Sequence, residues 1–291
     1  MRISIVIATK DRASYLERAL ASLERQIGAP SFEAIVVDNG SSDDTKGVTE
    51  RQGARGAYPI TYVHEPEPNR GKARNRGVHA ASGFLILFMD DDVQAPPGFL
   101  AAHEAAHATT NLVVNGPIIN VPGYDDRPKP TVSNYSRAFL CTCNVSVPKH
   151  ALDAVGGFDE AFKLYGWEDT ERGVRLREAG MRWKFAWDAY IWHIKPPTEN
   201  TLEVETRKAL EKARMASRFI AKHPSQRARM ATGAHGLNLL RGKYLLPDSL
   251  LAIYAGLATK DDAPEAVRSF ARAQFLDGMY TRELIRVLDE A

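Results

Sequence analysis

Residues 84–93 read FLILFMDDDV, an apolar run that stops abruptly in three consecutive acids, Asp90, Asp91 and Asp92. An apolar stretch of this length, with aromatic and β-branched content, reads as a strand buried on both faces. Ionised carboxylates cannot sit in such an interior, so the three mark the carboxyl end of the strand, where water or a cation reaches them. In open α/β sheets ligands bind in the crevice outside those strand ends. Strand alternation puts Asp90 and Asp92 on one side and Asp91 on the other. That spacing suits one divalent cation and the phosphates it bridges, with hard oxygen ligands for Mg2+ or Mn2+. An acidic turn after a strand is the plain alternative, and the run by itself does not choose.

Working outward, residues 2–9 (RISIVIAT) form a first buried strand, and residues 10–12 open an amphipathic helix with Tyr15, Leu16, Ala19, Leu20 and Leu23 at helical spacing. FEAIVV (32–37) is a second strand that ends in the polar loop DNGSSDDT, and ITYVH (60–64) is a third. NRGKARNRG (69–77) is a basic helix start leading to the acid-tipped strand. Strand and helix thus alternate up to Asp92, the pattern of a parallel, doubly wound α/β sheet. Beyond it the pattern predicts a helix to about His107, a strand at 112–119, a loop rich in Pro, Gly and Asp at 121–136, and a strand at 138–147. A short helix from Pro148, a helix from Glu168 to about Ala179, and strands near 182–187 and 189–193 complete this part; from Thr201 onward the tail reads as helical. No G-x-G-x-x-G follows the first strand and no G-x-x-x-x-G-K-[ST] occurs, which argues against a dehydrogenase-type dinucleotide fold and a P-loop NTPase.

A net charge of +2 over 291 residues carries no nucleic-acid signature. The two cysteines, Cys141 and Cys143, are one residue apart on an expected strand, point to opposite faces, and read as reduced residues of a cytoplasmic protein. No signal-peptide pattern precedes the first strand, and no apolar run approaches the ~20 residues needed to span a bilayer.

Thr9, Asp11, Asp38 and the acids at 90–92 fall at strand ends that should share one rim of the sheet. A carboxylate there can accept hydrogen bonds from a base or a ribose. Arg70, Lys72, Arg74 and Arg76 can offset diphosphate charge near a helix start. Singly, Asp38 reads equally well as a turn former, and the basic segment as a solvated face. A second acidic pair, Glu168-Asp169, opens a helix: an N-terminal cap favoured by the helix dipole, or a general base for an acceptor hydroxyl. Trp167 beside it is a stacking face for a sugar ring or a core residue. His193, at the end of a strand, is a structural residue or a metal ligand.

Taken together, IVIATKDR, VVDNGSSDDT, NRGKARNRG, LFMDDDV, CNVSVPK, VGGFDEAF, GWEDTERGVRLREAG and the closing Trp192-His193 resemble, in order and over roughly residues 2–195, the GT-A fold glycosyltransferases of family 2. The resemblance implies inverting transfer of a sugar from a nucleotide donor, most often UDP-linked, to a hydroxyl of a glycan or lipid-linked acceptor, with Mn2+ or Mg2+. It further implies nucleotide contacts for Thr9 and Asp11, a base-reading role for Asp38, and a diphosphate contact for Arg74. Asp90 then faces the ribose, Asp92 holds the metal, and His193 is a metal or phosphate contact. Asp169 is the catalytic base, with Glu168 beside it for the acceptor. The Q-x-x-R-W motif of processive synthases is absent, which disfavours a chain-extruding enzyme.

The expected division is a catalytic domain over residues 1–198, with a nucleotide half to about 95 and an acceptor half from 96, and a helical extension over 199–291. Between residues 206 and 243 ten bases stand against one acid, Glu211. They read as a solvated helical face or as an electrostatic contact with anionic lipid at the inner face of the membrane. The apolar segment 249–258 packs on the core, forms a homodimer seam or dips into a membrane surface. Two other classes compete: a non-catalytic nucleotide-sugar or glycan binding module, which need not keep both acidic pairs, and a nucleotidyltransferase, whose glycine-rich first loop is missing here.

Overall fold

The computed structural model describes residues 2–107, 111–196 and 201–290. It divides into two compact units, Met1–Lys163 with Glu168–Pro196, and Leu164–Trp167 with Pro197–Ala291. The boundary expected at 198/199 lies outside the described residues.

In the first unit, β1 (Ile3–Thr9), β2 (Phe32–Asp38), β3 (Ile60–His64) and β4 (Leu85–Met89) alternate with α1 (Ala13–Leu23), α2 (Thr45–Ala54) and α3 (Arg70–Ala80). The strands lie in the order β3-β2-β1-β4, all parallel. Alternation sorts their side chains. Ile3, Ile5, Ile7, Ala34, Val36, Leu85 and Leu87 join one buried cluster with Leu16, Ala19 and Leu20 of α1. Val6, Ile35, Val37, Ile86 and Phe88 join the other with Ala73 and Val78 of α3. Covering both faces is what a parallel sheet requires, and it explains why these strands read as continuous apolar runs. At Gly77 the helix lies so close to β1 that a Cβ would stand 2.3 Å from a Val6 methyl.

The sheet continues through β8 (Asn144–Pro148), antiparallel to β4, then β6 (Leu112–Asn115) and the edge strand β9 (Arg182–Phe185). A second sheet has the order β5 (Val93–Gln94), β10 (Ile191–Ile194), β7 (Ile118–Val121). The stretch 112–119, expected as one strand, therefore splits at Gly116-Pro117 into members of different sheets. Asn144 ties this crossing together, its amide donating to the carbonyls of Pro117 and Ala189. The strand expected at 138–147 is confined to Asn144–Pro148. Its first half is a loop held by Asn115, which donates to the Phe139 carbonyl and accepts from the Cys141 N–H. Helices α4 (Phe99–Ala106), α5 (Lys149–Val155) and α6 (Glu168–Glu178) complete the unit, and both cysteines are free thiols.

The second unit is helical: α7 (Leu202–Lys222), α8 (Gln226–Ala231), α9 (Gly236–Tyr244), α10 (Asp248–Ala258) and α11 (Glu265–Asp289). Its centre is Ala213, Ala216, Ile220, Ala234 and Leu284. Leu251 of α10 packs against Gly278 of α11, so one side of the 249–258 segment packs on its own unit. Part of the basic tail is neutralised by acids far off in sequence: Arg214 pairs with Glu283 and Arg241 with Asp277. Among the described residues no helix is long and apolar enough to cross a membrane.

Candidate active site

The parallel register brings Thr9 beside Asp38 and Asp38 beside His64, so the first three strands end at one level. Asp38 is buried; Oδ1 accepts from the Ser41 N–H at 2.8 Å and Oδ2 from the Tyr62 hydroxyl at 2.7 Å. Asp11 stands in the left-handed region at φ 52° and accepts from the N–H and hydroxyl of Ser42, bonds that hold its carboxyl below the ordinary range. Asp38 thus fixes the start of the 38–45 loop against β3, and Asp11 ties the loop to the start of α1.

The chain leaves β4 after Met89, and the acidic triplet is a turn. Alternation therefore does not separate Asp91 from Asp92: Nη1 of Arg12 reaches Asp91 Oδ1 at 3.2 Å and Asp92 Oδ2 at 2.8 Å. Asp91 is buried and also accepts from the Thr9 hydroxyl at 2.7 Å. Burial, with the Asp92 charge adding to it, pushes the Asp91 carboxyl up to about 6, against Arg12 and Thr9. Asp92 differs because cations surround it. His193 Nε2 lies 3.0 Å from Oδ1, and Lys195 Nζ lies 3.2 Å from Oδ2. Burial raises its pKa, but His193, Lys195 and Arg12 outweigh that and hold the group well below the usual carboxylate range.

His193 is put there by the small sheet. It pairs with Val93, directly after Asp92, and with Asn120 on the other side. Its Nδ1 lies 3.1 Å from Asn120 Oδ1. With the Nδ1 proton on that bond, Nε2 presents a lone pair to a carboxylate oxygen, an arrangement that calls for a proton or a cation between them. Asp90 and His193 also lie close to Cys143, with ligand atoms of the three within 4.8 Å of one another. Burial first, and the Asp90 charge next, keep the Cys143 thiol protonated, which unsuits it to a hard cation. The carboxylate and imidazole atoms of this corner are donors that a divalent cation accepts.

The second acidic pair meets the first at Arg74. Its guanidinium reaches Glu168 Oε1 at 3.4 Å, Asp169 Oδ1 at 3.7 Å and Asp90 Oδ1 at 4.0 Å. Asp169 Oδ2 accepts both from the Thr142 N–H, at 2.9 Å, and from its hydroxyl, at 2.8 Å. Its Oδ1 is buried and accepts no hydrogen bond. A carboxylate oriented through one oxygen, with the other free of hydrogen bonds and only ion-paired to Arg74, has the form of a proton acceptor. Burial first, then the Asp169 charge, raise the Glu168 pKa, with Arg74 opposing.

Of the expected site residues, Asp90, Arg74, Glu168 and Asp169 come together around one guanidinium, and Thr9, Asp92 and His193 around the acidic turn. Trp167 belongs to the helical unit. At φ 71° it stacks on Phe219 with centroids 5.1 Å apart, and its indole N–H donates to the Lys212 carbonyl. There it lines a cavity of about 510 Å3 with Lys212, His235 and Asp277. Sequence reasoning missed Arg12, Asn120, Thr142 and Lys195. Only Arg12, which follows the first strand directly, had a signal that could have found it.

The profile described as glycosyl transferase family 2 matches residues 4–162, and one described as the N-terminal domain of galactosyltransferase matches 129–196. The validoxylamine A glucosyltransferase of Streptomyces hygroscopicus subsp. limoneus is 30% identical over 266 residues, covering 77% of this chain and 57% of its own length. The chain spans about 57–61% of the length of the curated glucosyltransferases it matches. Among solved structures, the mannosyltransferase PcManGT from Pyrobaculum calidifontis, in complex with GDP-Man and Mn2+, superposes with a TM-score of 0.66 at 16% identity, covering all of this chain and 88% of that one. TarS 1–349 from S. aureus with UDP-GlcNAc gives 0.57 at 20% identity, over 100% and 92%. These likenesses give the fold as GT-A, and the profile match over more than half of the sequence gives the family: the chain belongs to glycosyl transferase family 2.

Proposed function

We propose that this chain catalyses inverting transfer of a sugar from a nucleoside diphosphate donor, UDP-linked by preference, to a hydroxyl of a glycan or lipid-linked acceptor. The observation that carries this is Arg74, whose one guanidinium lies within 4.0 Å of Asp90, Glu168 and Asp169. A leaving-group site and a base site then border one space. In this reading Asp38 accepts from the base, Thr9 and Asp11 shape the nucleotide loop, and Asp90 meets the ribose. Residues up to about 95 form the nucleotide half, and the stretch from 96 the acceptor half.

Asp169 takes the proton of the acceptor hydroxyl on Oδ1 while Thr142 holds Oδ2. The acceptor oxygen bonds to the anomeric carbon from the face opposite the diphosphate. The bond from that carbon to the diphosphate oxygen breaks, its electron pair leaving with the phosphate. Arg74 offers positive charge where the leaving group develops negative charge, and Glu168 accepts from a further acceptor hydroxyl. Asp92 and His193 would hold Mn2+, which when bound supplies Lewis-acid stabilisation of the leaving diphosphate.

A donor panel read by released nucleoside diphosphate, with Mn2+ and with chelator, tests this. Asp169→Asn should lower transfer by about a thousand-fold or more while nucleotide affinity holds. Asp92→Ala should abolish metal-stimulated donor turnover. Transfer surviving in Asp169→Asn would remove that residue from the base role.

A further inference from the structure

We infer that α9 and its flanks form a face that docks on an anionic lipid bilayer. Helix α9 is apolar on two opposite sides. Leu239 joins the helical core, and Gly242 lies against Thr281 and Ile285 of α11. Leu237, Leu240 and Tyr244, at i, i+3 and i+7, form a stripe on the other side and are 81%, 55% and 67% exposed, with Leu245 next in line at 67%. A helix of a water-soluble unit ordinarily turns charge outward where this one turns leucine, so the stripe wants an apolar cover.

The charge of the segment selects the cover. Residues 226–247 contain no acid and four bases. One of these, Arg241, is taken up by Asp277, while Arg227, Arg229 and Lys243 are exposed. Lys243 lies with its ammonium 5.6 Å from the Tyr244 ring centroid. The next acid in the chain, Asp248, is paired with Arg282. A second copy meeting this stripe by two-fold symmetry would set the same cations against themselves, with no acid from the segment to answer them. An anionic bilayer offers both an apolar layer for the leucines and negative headgroups for the cations, with Tyr244 suited to the boundary. The docking face goes beyond the reaction proposed above, and its test uses neither donor nor acceptor, so either can fail alone.

Co-sedimentation of the full chain with phosphatidylcholine vesicles, with and without about 30% phosphatidylglycerol, reads it directly. Binding is expected to the anionic vesicles and to weaken steeply at about 0.5 M salt. Leu237→Glu with Leu240→Glu should weaken it about a hundred-fold, and Lys243→Glu about ten-fold, at unchanged thermal stability. Leu237→Ser, at the most exposed position, should cost about ten-fold and serves if the double variant misfolds. Absence of binding to anionic vesicles, or binding that ignores the leucines, overturns the inference. So does a dimer of the wild-type chain in light scattering that the leucine variants dissolve.

Discussion

Replacing Arg74 by Met asks whether a single cation holds the two acidic clusters together. Three carboxylates face that guanidinium, and their weights differ. Asp90 is partly exposed and 4.0 Å away, so it contributes at most ~1 kcal/mol. Glu168 is buried and hydrogen-bonded, and half-buried Asp169 follows it on the helix, so removing the cation leaves a buried carboxylate beside a like charge with no cation to answer it. Breaking a buried pair from one side costs about 3–5 kcal/mol, and with one long hydrogen bond the lower end, about 3, is expected near neutral pH and above. The pH dependence identifies the cause. Burial and Asp169 already raise the Glu168 pKa, and Arg74 opposes them. Without Arg74 the folded variant keeps a proton on Glu168 at a pH where the unfolded chain, with an ordinary glutamate, has lost it. Where the folded state binds more protons, stability falls as pH rises. The penalty relative to wild type should therefore shrink on acidification, by up to ~1.4 kcal/mol per pH unit, between the still higher Glu168 pKa of the variant and the already raised one of the wild type. Urea unfolding followed by tryptophan fluorescence at about pH 8, 7 and 6 measures it. A penalty that stays constant across that range, or none at pH 8, would refute the placement of Arg74 against a buried Glu168.

Two further perturbations probe the supports of the site. Asn120→Ala removes the partner of His193 Nδ1 and should weaken Mn2+ binding about 10–100-fold by calorimetry, with folding intact; unchanged affinity would take His193 out of the ligand set. Gly116→Ala puts a Cβ 1.7 Å from the Ala189 carbonyl oxygen, where β6 hands the chain to the second sheet. Denaturant unfolding should show a loss of more than about 3 kcal/mol, and near-wild-type stability would mean that the crossing is looser than described.

The parallel half of the fold was legible because β1, β2 and β4 are buried on both faces and so are written in consecutive apolar residues, with the half-exposed edge strand β3 following from the alternation. The acids at the strand ends stood out for the same reason, since a carboxylate next to such a run has to be explained. The antiparallel half was less legible. The split at Gly116-Pro117 had a local signal, a Gly-Pro pair inside an apolar run, which marks a break rather than a continuous strand. The stretch 138–143 had none: it fails to pair because one side chain, Asn115, takes its backbone groups, and a contact across 26 residues leaves no periodicity to read.

The same distinction separates what was visible at the site from what was not. Asp90, Asp92, Glu168 and Asp169 are legible as pairs because each pair is contiguous or nearly so. Their partners arrive from afar: Lys195 comes 103 residues to Asp92, and Thr142 comes 27 to Asp169. This changes the chemistry, not only the inventory. An acid at a strand end suggests a vacant ligand for a cation, yet Asp92 already answers to Arg12, His193 and Lys195. Asp92 Oδ1 and His193 Nε2 would be the atoms offered to a divalent ion, while Oδ2 is already held by Arg12 and Lys195, so such an ion would not have the carboxylate to itself.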